Sequence, residues 1–383
     1  MDISICLFKY FPYGGLQKDF MQFYQLLRER GHAVRVYCGS WEGPKPDGLD
    51  LHEVPVSGLS NQRRNQQFAE YVLADLKQHP VDLVIGFNKM PGLDVYFAAD
   101  ACFEAKAREE RSWFYRQMPR YRYYSQAEKA VFSKGLPTKI LLISETEKQK
   151  FIRYYGTEAE RMTMLPPGVF ETQKSPANSA QIRAEFRKSH QLSDSDLLLL
   201  FVAASFKTKG LDRVFKALAA LNDSQREKVQ LFVVGPDKPD RYLDLANSLN
   251  IQNKVHFFGG IDDVQPFYLG ADCLIHPART EAAGVVLLEA LLAGLPILAS
   301  GVCGYGHHIV EADAGIVMGA TFQQDECNAA LVKCLDDAQL KRWRENALNY
   351  ADTADLYSKH STGMKIIEAE LVRKASASEA VSQ

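Results

Sequence analysis

The sequence predicts an α/β protein built from two doubly wound, Rossmann-like domains. Short apolar runs alternate with amphipathic helical stretches, the alternation occurs twice, and a polar, turn-rich break separates the halves. Such alternation is what a parallel sheet with crossover helices requires. At 383 residues the chain is long enough for two domains, each burying its own core.

In the first half, strands are expected at 3–8, 33–38, 81–86, 95–99 and 139–143. In the second half they are expected at 197–203, 229–234, 255–258, 273–276 and 296–299. Helices are expected between them at 15–30, 66–79, 210–221, 240–249, 284–293 and 325–336. Pro166-Pro167-Gly168 stops the first pattern, and Lys174 to Ser179 is polar, so the linker falls near 167–175. The domains are therefore expected at 1–168 and 169–350. A further helix, 351–374, is expected to pack back on the N-terminal domain. The small, polar residues 375–383 are expected to form a disordered tail.

A net charge of -2 gives no support to a nucleic-acid partner. The cysteines (Cys6, Cys38, Cys102, Cys273, Cys303, Cys327 and Cys334) are scattered, with no CxxC spacing. Neither a zinc site nor a disulfide framework is indicated, and a reducing cytoplasm fits best. The N-terminus opens directly into a strand without a signal-peptide pattern. No run approaches the roughly 20 apolar residues of a membrane span. A cytoplasmic protein, at most peripheral on the inner membrane, is expected.

Open α/β sheets bind ligands at the carboxyl ends of their strands. The loop after 273–276 reads Pro277-Ala278-Arg279-Thr280-Glu281-Ala282-Ala283-Gly284, and a helix begins at Val285. Small residues there allow close approach of a ligand to the backbone, and unpaired amides at a helix start hold anionic or hydroxyl-rich groups. Glu281 lies before the helix and Glu289 more than a turn inside it. At about 1.5 Å per residue, the two carboxylates address different parts of one ligand, such as a hexose and a ribose. On spacing alone, a capping acid and a solvated loop residue explain them as well. Three further strand-end loops favour a nucleotide site: Ala204 to Gly210 with Lys207 and Lys209, Gly235-Pro236-Asp237, and Gly259-Gly260-Ile261-Asp262. Lysines in such a loop can neutralise a departing diphosphate.

The Glu281–Glu289 pair resembles the E-x7-E motif of the retaining glycosyltransferases of family 4. His276-Pro277, Gly294-Leu295-Pro296 and Lys209-Gly210 match as well, and Lys9 to Gln17, Gly86 to Asp100 and Val302 to Tyr305 resemble members acting on the lipopolysaccharide core. The resemblance implies a GT-B fold, with a deep cleft between its two domains, and a UDP-sugar donor. It implies that Glu289 holds the ribose, while Glu281 and the amides of Ala283, Gly284 and Val285 hold the transferred sugar. Lys209 would contact the phosphates and the backbone near Ile261 the uracil. The family usually pairs Lys209 with an arginine directly before it. Here that position is Thr208, and the candidate substitute, Lys207, is a point charge, not a bidentate fork.

In the first domain, Tyr13-Gly14-Gly15-Leu16 follows the first strand and opens a helix. It is not GxGxxG, which disfavours a dehydrogenase. Gly14 and Gly15 instead suit close approach to a donor phosphate. Asp19 and Asp100 are the candidates to orient an acceptor hydroxyl. Asp194-Ser195-Asp196 matches D-x-D but precedes a strand, at the wrong edge of the sheet, so no metal is expected.

Arg111 to Tyr124 carries four arginines, six aromatics and no acid. Such a stretch suits anionic headgroups and the bilayer interface. The alternative is an ordinary amphipathic helix pair with its aromatics in a core. The resulting expectation is a retaining, metal-independent enzyme, without a cofactor, that moves a hexose from a UDP-sugar to a lipopolysaccharide inner-core heptose. The competitors are a family 4 transferase with another lipid-linked acceptor and a non-catalytic UDP-sugar-binding protein at the membrane.

Overall fold

The computed structural model describes residues 1–382 apart from Tyr13, 170–172, Asp194 and Ala282, and describes 378–382 by backbone alone. The chain divides into two compact units, Met1–Gly168 with Ser358–Gln383, and Val169–Tyr357.

The first unit contains β1 (Asp2–Leu7), β2 (Ala33–Cys38), β3 (Asp50–Glu53), β4 (Leu83–Gly86), β5 (Val95–Ala98), β6 (Lys139–Leu142) and β7 (Met162–Met164). They form one parallel sheet in the order β3-β2-β1-β4-β5-β6-β7. The second unit contains β8 (Leu197–Val202), β9 (Val229–Val234), β10 (Val255–Gly259), β11 (Cys273–His276), β12 (Ile297–Ser300) and β13 (Gly315–Met318). Its parallel sheet runs β10-β9-β8-β11-β12-β13. Each order reverses once, between β1 and β4 and between β8 and β11, so each unit is doubly wound as expected.

Parallel strands are covered on both faces and therefore read as continuous apolar runs. Leu197 to Phe201 is buried without interruption, as are all of β4, β5, β11 and β12. The crossover helices are amphipathic for the complementary reason. In Leu211–Ala219, the buried Leu211, Val214, Phe215 and Leu218 follow the helical repeat and face the sheet. Local signals set the helix ends. The Ser144 side chain accepts from Glu147 N at the start of Glu145–Tyr155, and Gly156 closes that helix in the left-handed region.

Three strands, β3, β7 and β13, lie outside the sequence expectation. All three are edge strands with one hydrogen-bonded neighbour; β3 reads Asp50-Leu51-His52-Glu53 with almost no apolar run, and β7 and β13 are only three and four residues long. The second unit extends to Tyr357 instead of 350, because the helix Asp337–Thr353 carries the chain past that point. The last helix runs Lys359–Ser382, beyond residue 374 and through most of the segment expected to be a tail. Ala375, Ala377 and Ala380 are strong helix formers. Within the first unit this helix buries Met364, Ile367 and Leu371 and sets His360 edge-on to Phe23.

The aromatic side chains of Arg111 to Tyr124 divide between packed and exposed positions. Tyr115, Tyr121 and Tyr124 ring Phe103 at 5.4–6.4 Å between centroids. Trp113, Phe114 and Met118 instead stand 59%, 72% and 52% exposed on the short turn between the helices Phe103–Glu109 and Pro119–Phe132. Among the described residues no helix is long and apolar enough to cross a membrane.

Candidate active site

The reversal between β8 and β11 opens the crevice where such sheets bind ligands. The loops leaving these strands carry Lys209 and Glu281, and they are locked together. Arg279 N donates to Thr208 O at 2.8 Å. Gly210 sits at φ +80° with its α-carbon against Pro277, where an added Cβ would stand 2.3 Å from the Pro277 carbonyl oxygen. Only glycine fits both constraints. The neighbouring loops join the same lattice: Gly235 N donates to Gly259 O at 2.7 Å, and Asp237 accepts from Phe206 N at 2.8 Å. Ile261, half-buried, follows on the β10 loop.

Glu281 Oε2 lies 2.6 Å from Lys209 Nζ and 3.3 Å from His276 Nε2. Burial pushes the Glu281 carboxyl up, but the His276 hydrogen bond and the Lys209 charge outweigh it, and the net position is below the usual range. His276 is 1% exposed, and its Nδ1 has no partner among the described residues. The Nε2–H tautomer, donating to Glu281, leaves that nitrogen as a bare acceptor instead of an orphaned donor.

Glu289 stands one turn into the helix Val285–Leu292. Its Oε2 accepts from the Tyr268 hydroxyl at 2.8 Å and its Oε1 from the Gln173 amide at 3.1 Å. Burial, and then the charge of Glu289, pushes Tyr268 well above its ordinary value, so it remains a donor. Gly284 caps this helix at φ +94°. Among the described residues, the amides of Ala283, Gly284 and Val285 have no acceptor. The Ala283 carbonyl is held by Tyr305 N at 2.7 Å, and Glu281 bridges Cys303. The loop after β12 therefore braces the site.

Lys207 is exposed. Thr208 turns its hydroxyl to Ser205 at 3.1 Å. The two guanidinium groups nearby are committed elsewhere. Arg213 serves Pro277 O and Ala278 O and lies 3.7 Å over the Phe322 ring, while Arg279 forks onto both oxygens of Asp212.

In the first unit, Gly14 caps the helix Gly15–Glu29, and a Cβ on Gly15 would meet no described atom within 4 Å. Tyr13 lies outside the described residues. Asp100 is exposed at the end of β5, without a hydrogen bond or ion pair among the described residues. Asp19 differs from the expectation of an available acid. Its Oδ1 lies 2.6 Å from Lys359 Nζ and 2.8 Å from His360 Nε2, so it fastens the last helix.

Asp196 turns back onto Ser193 before β8, and Asp194 lies outside the described residues. Among the described residues no three His, Cys, Asp or Glu side chains are grouped to hold a metal ion.

Residues 13–172 match the Glycosyltransferase Family 4 and residues 182–350 the Glycosyl transferases group 1. The lipopolysaccharide glucosyltransferase WaaG of Escherichia coli (strain K12) is 46% identical over 359 residues, covering 94% of this chain and 96% of its own. A crystal structure of WaaG superposes with a TM-score of 0.89 at 45% identity, covering 95% of this chain and 99% of that one. Anabaena HepE in complex with UDP-glucose shares the fold at 16% identity with a TM-score of 0.71, covering 98% of this chain and 100% of that one. Two doubly wound units, with these family matches over residues 13–172 and 182–350 and a 46% identical relative over 94% of the chain, make the chain a member of glycosyltransferase family 4 with the GT-B fold.

Proposed function

We propose that this chain moves a hexose, with glucose as the first candidate, from a UDP-sugar to a heptose of the lipopolysaccharide inner core. The linkage formed is α-1,3, with retention and without a metal ion. The observation carrying this reading is the Lys209–Glu281 pair beside the amides of 283–285, which have no acceptor among the described residues, at the reversal of the second sheet. An ammonium and convergent N–H groups suit a diphosphate and the hydroxyls of a sugar. WaaG, by its name a lipopolysaccharide glucosyltransferase, and HepE, which holds UDP-glucose, support the substrate classes.

On this reading Glu289 takes the ribose, the backbone near Ile261 the uracil, Lys209 and Lys207 the phosphates, and Glu281 the sugar. With Asp19 committed to the last helix, Asp100 is the acid that orients the acceptor hydroxyl. That hydroxyl attacks the anomeric carbon from the face the diphosphate leaves. Its proton passes to the departing phosphate oxygen, and Lys209 steadies the charge. The test is turnover on heptose-terminated lipopolysaccharide with UDP-glucose, UDP-galactose and UDP-N-acetylglucosamine, with and without a chelator. UDP-glucose should be used best, and the chelator should change nothing. UDP binding without turnover of any donor would establish a non-catalytic binder instead.

Trp113, Phe114 and Met118, flanked by Arg111, Arg116, Arg120 and Arg122, are proposed to contact anionic lipid at a membrane surface. Each basic residue near such a surface contributes about 1 kcal/mol. Vesicles rich in anionic lipid should retain the chain at low salt, and replacing the four arginines with glutamine should release it. Retention unchanged by that replacement sinks the assignment.

A further inference from the structure

The short segment that follows Asp100 is held by its backbone from three directions. Lys89 Nζ donates to Ala101 O at 2.8 Å. Glu147 Oε2 accepts from Cys102 N at 2.6 Å. Glu128 accepts from Phe103 N at 2.8 Å on one oxygen and from Glu104 N at 2.9 Å on the other. Glu128 is 0% exposed, and its remaining capacity is filled by Lys89 Nζ and the Tyr155 hydroxyl, both at 2.6 Å. The Lys89 side chain, 11% exposed, crosses the rings of Phe132 and Phe151 to reach it.

Stability alone does not account for this arrangement. A buried ion pair contributes little over an apolar filling of the same volume, because two charges must be desolvated. Capping the helix Phe103–Glu109 explains the contacts of Glu128 to two amides, but it requires no lysine. It leaves unexplained why that lysine also grips Ala101 O, the carbonyl next to Asp100. What the network does is tie the backbone of four successive residues, Ala101 to Glu104, beside an exposed acid that has no hydrogen-bond or ion-pair partner of its own among the described residues.

We propose that Lys89 and Glu128 are positioning residues for sugar transfer: the buried pair fixes Ala101 to Glu104 and so presents the Asp100 carboxylate to the acceptor hydroxyl. The proposal rests on the reading of Asp100 as the acid of the acceptor site. Neither residue touches substrate, and their effect is confined to the acceptor half of the reaction.

The test compares Glu128→Gln, Lys89→Met, the double variant and Asp100→Asn in the full chain. Acceptor kcat/KM, donor KM, UDP affinity by calorimetry and the thermal midpoint are measured for each. Glu128→Gln and Lys89→Met should lower acceptor kcat/KM by about 10- to 100-fold, as for a displacement near 1 Å, with donor KM and UDP affinity within about twofold of the parent. The double variant leaves no charge unpaired, so it should regain stability over either single variant while transfer stays low. Recovery of full transfer in the double variant overturns the proposal, as does a parallel loss of UDP affinity and transfer. If Asp100→Asn abolishes transfer while the other variants retain it, the positioning role falls and the reading of Asp100 stands. If Asp100→Asn transfers normally, the reading of Asp100 itself falls. A Glu128→Gln chain too unstable to assay leaves Lys89→Met and the double variant to decide.

Discussion

Replacing Lys209 with methionine lowers kcat/KM for sugar transfer by about 10²- to 10³-fold, the loss typical of removing one preorganised donor to developing charge. The expectation follows from what surrounds the ammonium. Neither neighbouring arginine is available, since Arg213 is spent on carbonyls and Arg279 on Asp212, and Thr208 brings no charge. Lys207 is exposed, and water screens an ammonium there far more than one half-buried at the sheet edge. The removal also strands Glu281, whose side chain is only 14% exposed, with His276 as its sole donor among the described residues. Steady-state kinetics with UDP-glucose, and calorimetry with UDP, check the prediction. A loss below about tenfold would place the leaving-group charge on Lys207 instead.

The second expected result is a division between the two glutamates. Glu289→Ala weakens UDP and UDP-glucose alike, by about 10- to 100-fold, the range for a hydrogen bond to a charged group. Glu281→Gln leaves UDP nearly unchanged and removes the additional affinity that the sugar confers. Equal losses for UDP and UDP-glucose in Glu281→Gln would defeat this assignment. The same variant has an acid signature. Because the folded Glu281 carboxyl sits below its ordinary value, its contribution to stability is present above that ordinary value, about 4. It is lost as pH falls through the folded value. Glu281→Gln should therefore be less stable than the parent near neutrality, and the difference should shrink on acidification, as thermal unfolding at several pH values would show.

How much of this was legible in the sequence depended on where each residue finds its partners. Central strands such as β8 and β11 announce themselves because burial on both faces demands an unbroken apolar run. Among the edges, β10 was still readable through Phe257 and Phe258, whereas β3, reading Asp50-Leu51-His52-Glu53, carries almost no apolar signal. The same division holds in the site. Glu281 and Lys209 stand out because they follow strand ends, and Glu289 through its place in the E-x7-E pattern, although the spacing of the two glutamates alone did not single them out. Tyr268 and Gln173 reach Glu289 across 21 and 116 residues of chain, and no local pattern encodes such pairings. His276 did leave a trace, as a polar residue closing the apolar run Cys273-Leu274-Ile275. Asp19 was read as an available acid because its partners Lys359 and His360 arrive from the far end of the chain.

That distant pairing bears on the order in which the protein assembles during synthesis. Unit two is one continuous stretch, Val169–Tyr357, and has all its strands once that stretch has left the ribosome. The first unit emerges earlier, yet it waits for the last helix to cover Phe23 and to neutralise Asp19. The part of the chain made first is thus the last to be finished, and a nascent chain arrested before Lys359 carries one completed unit and one still open.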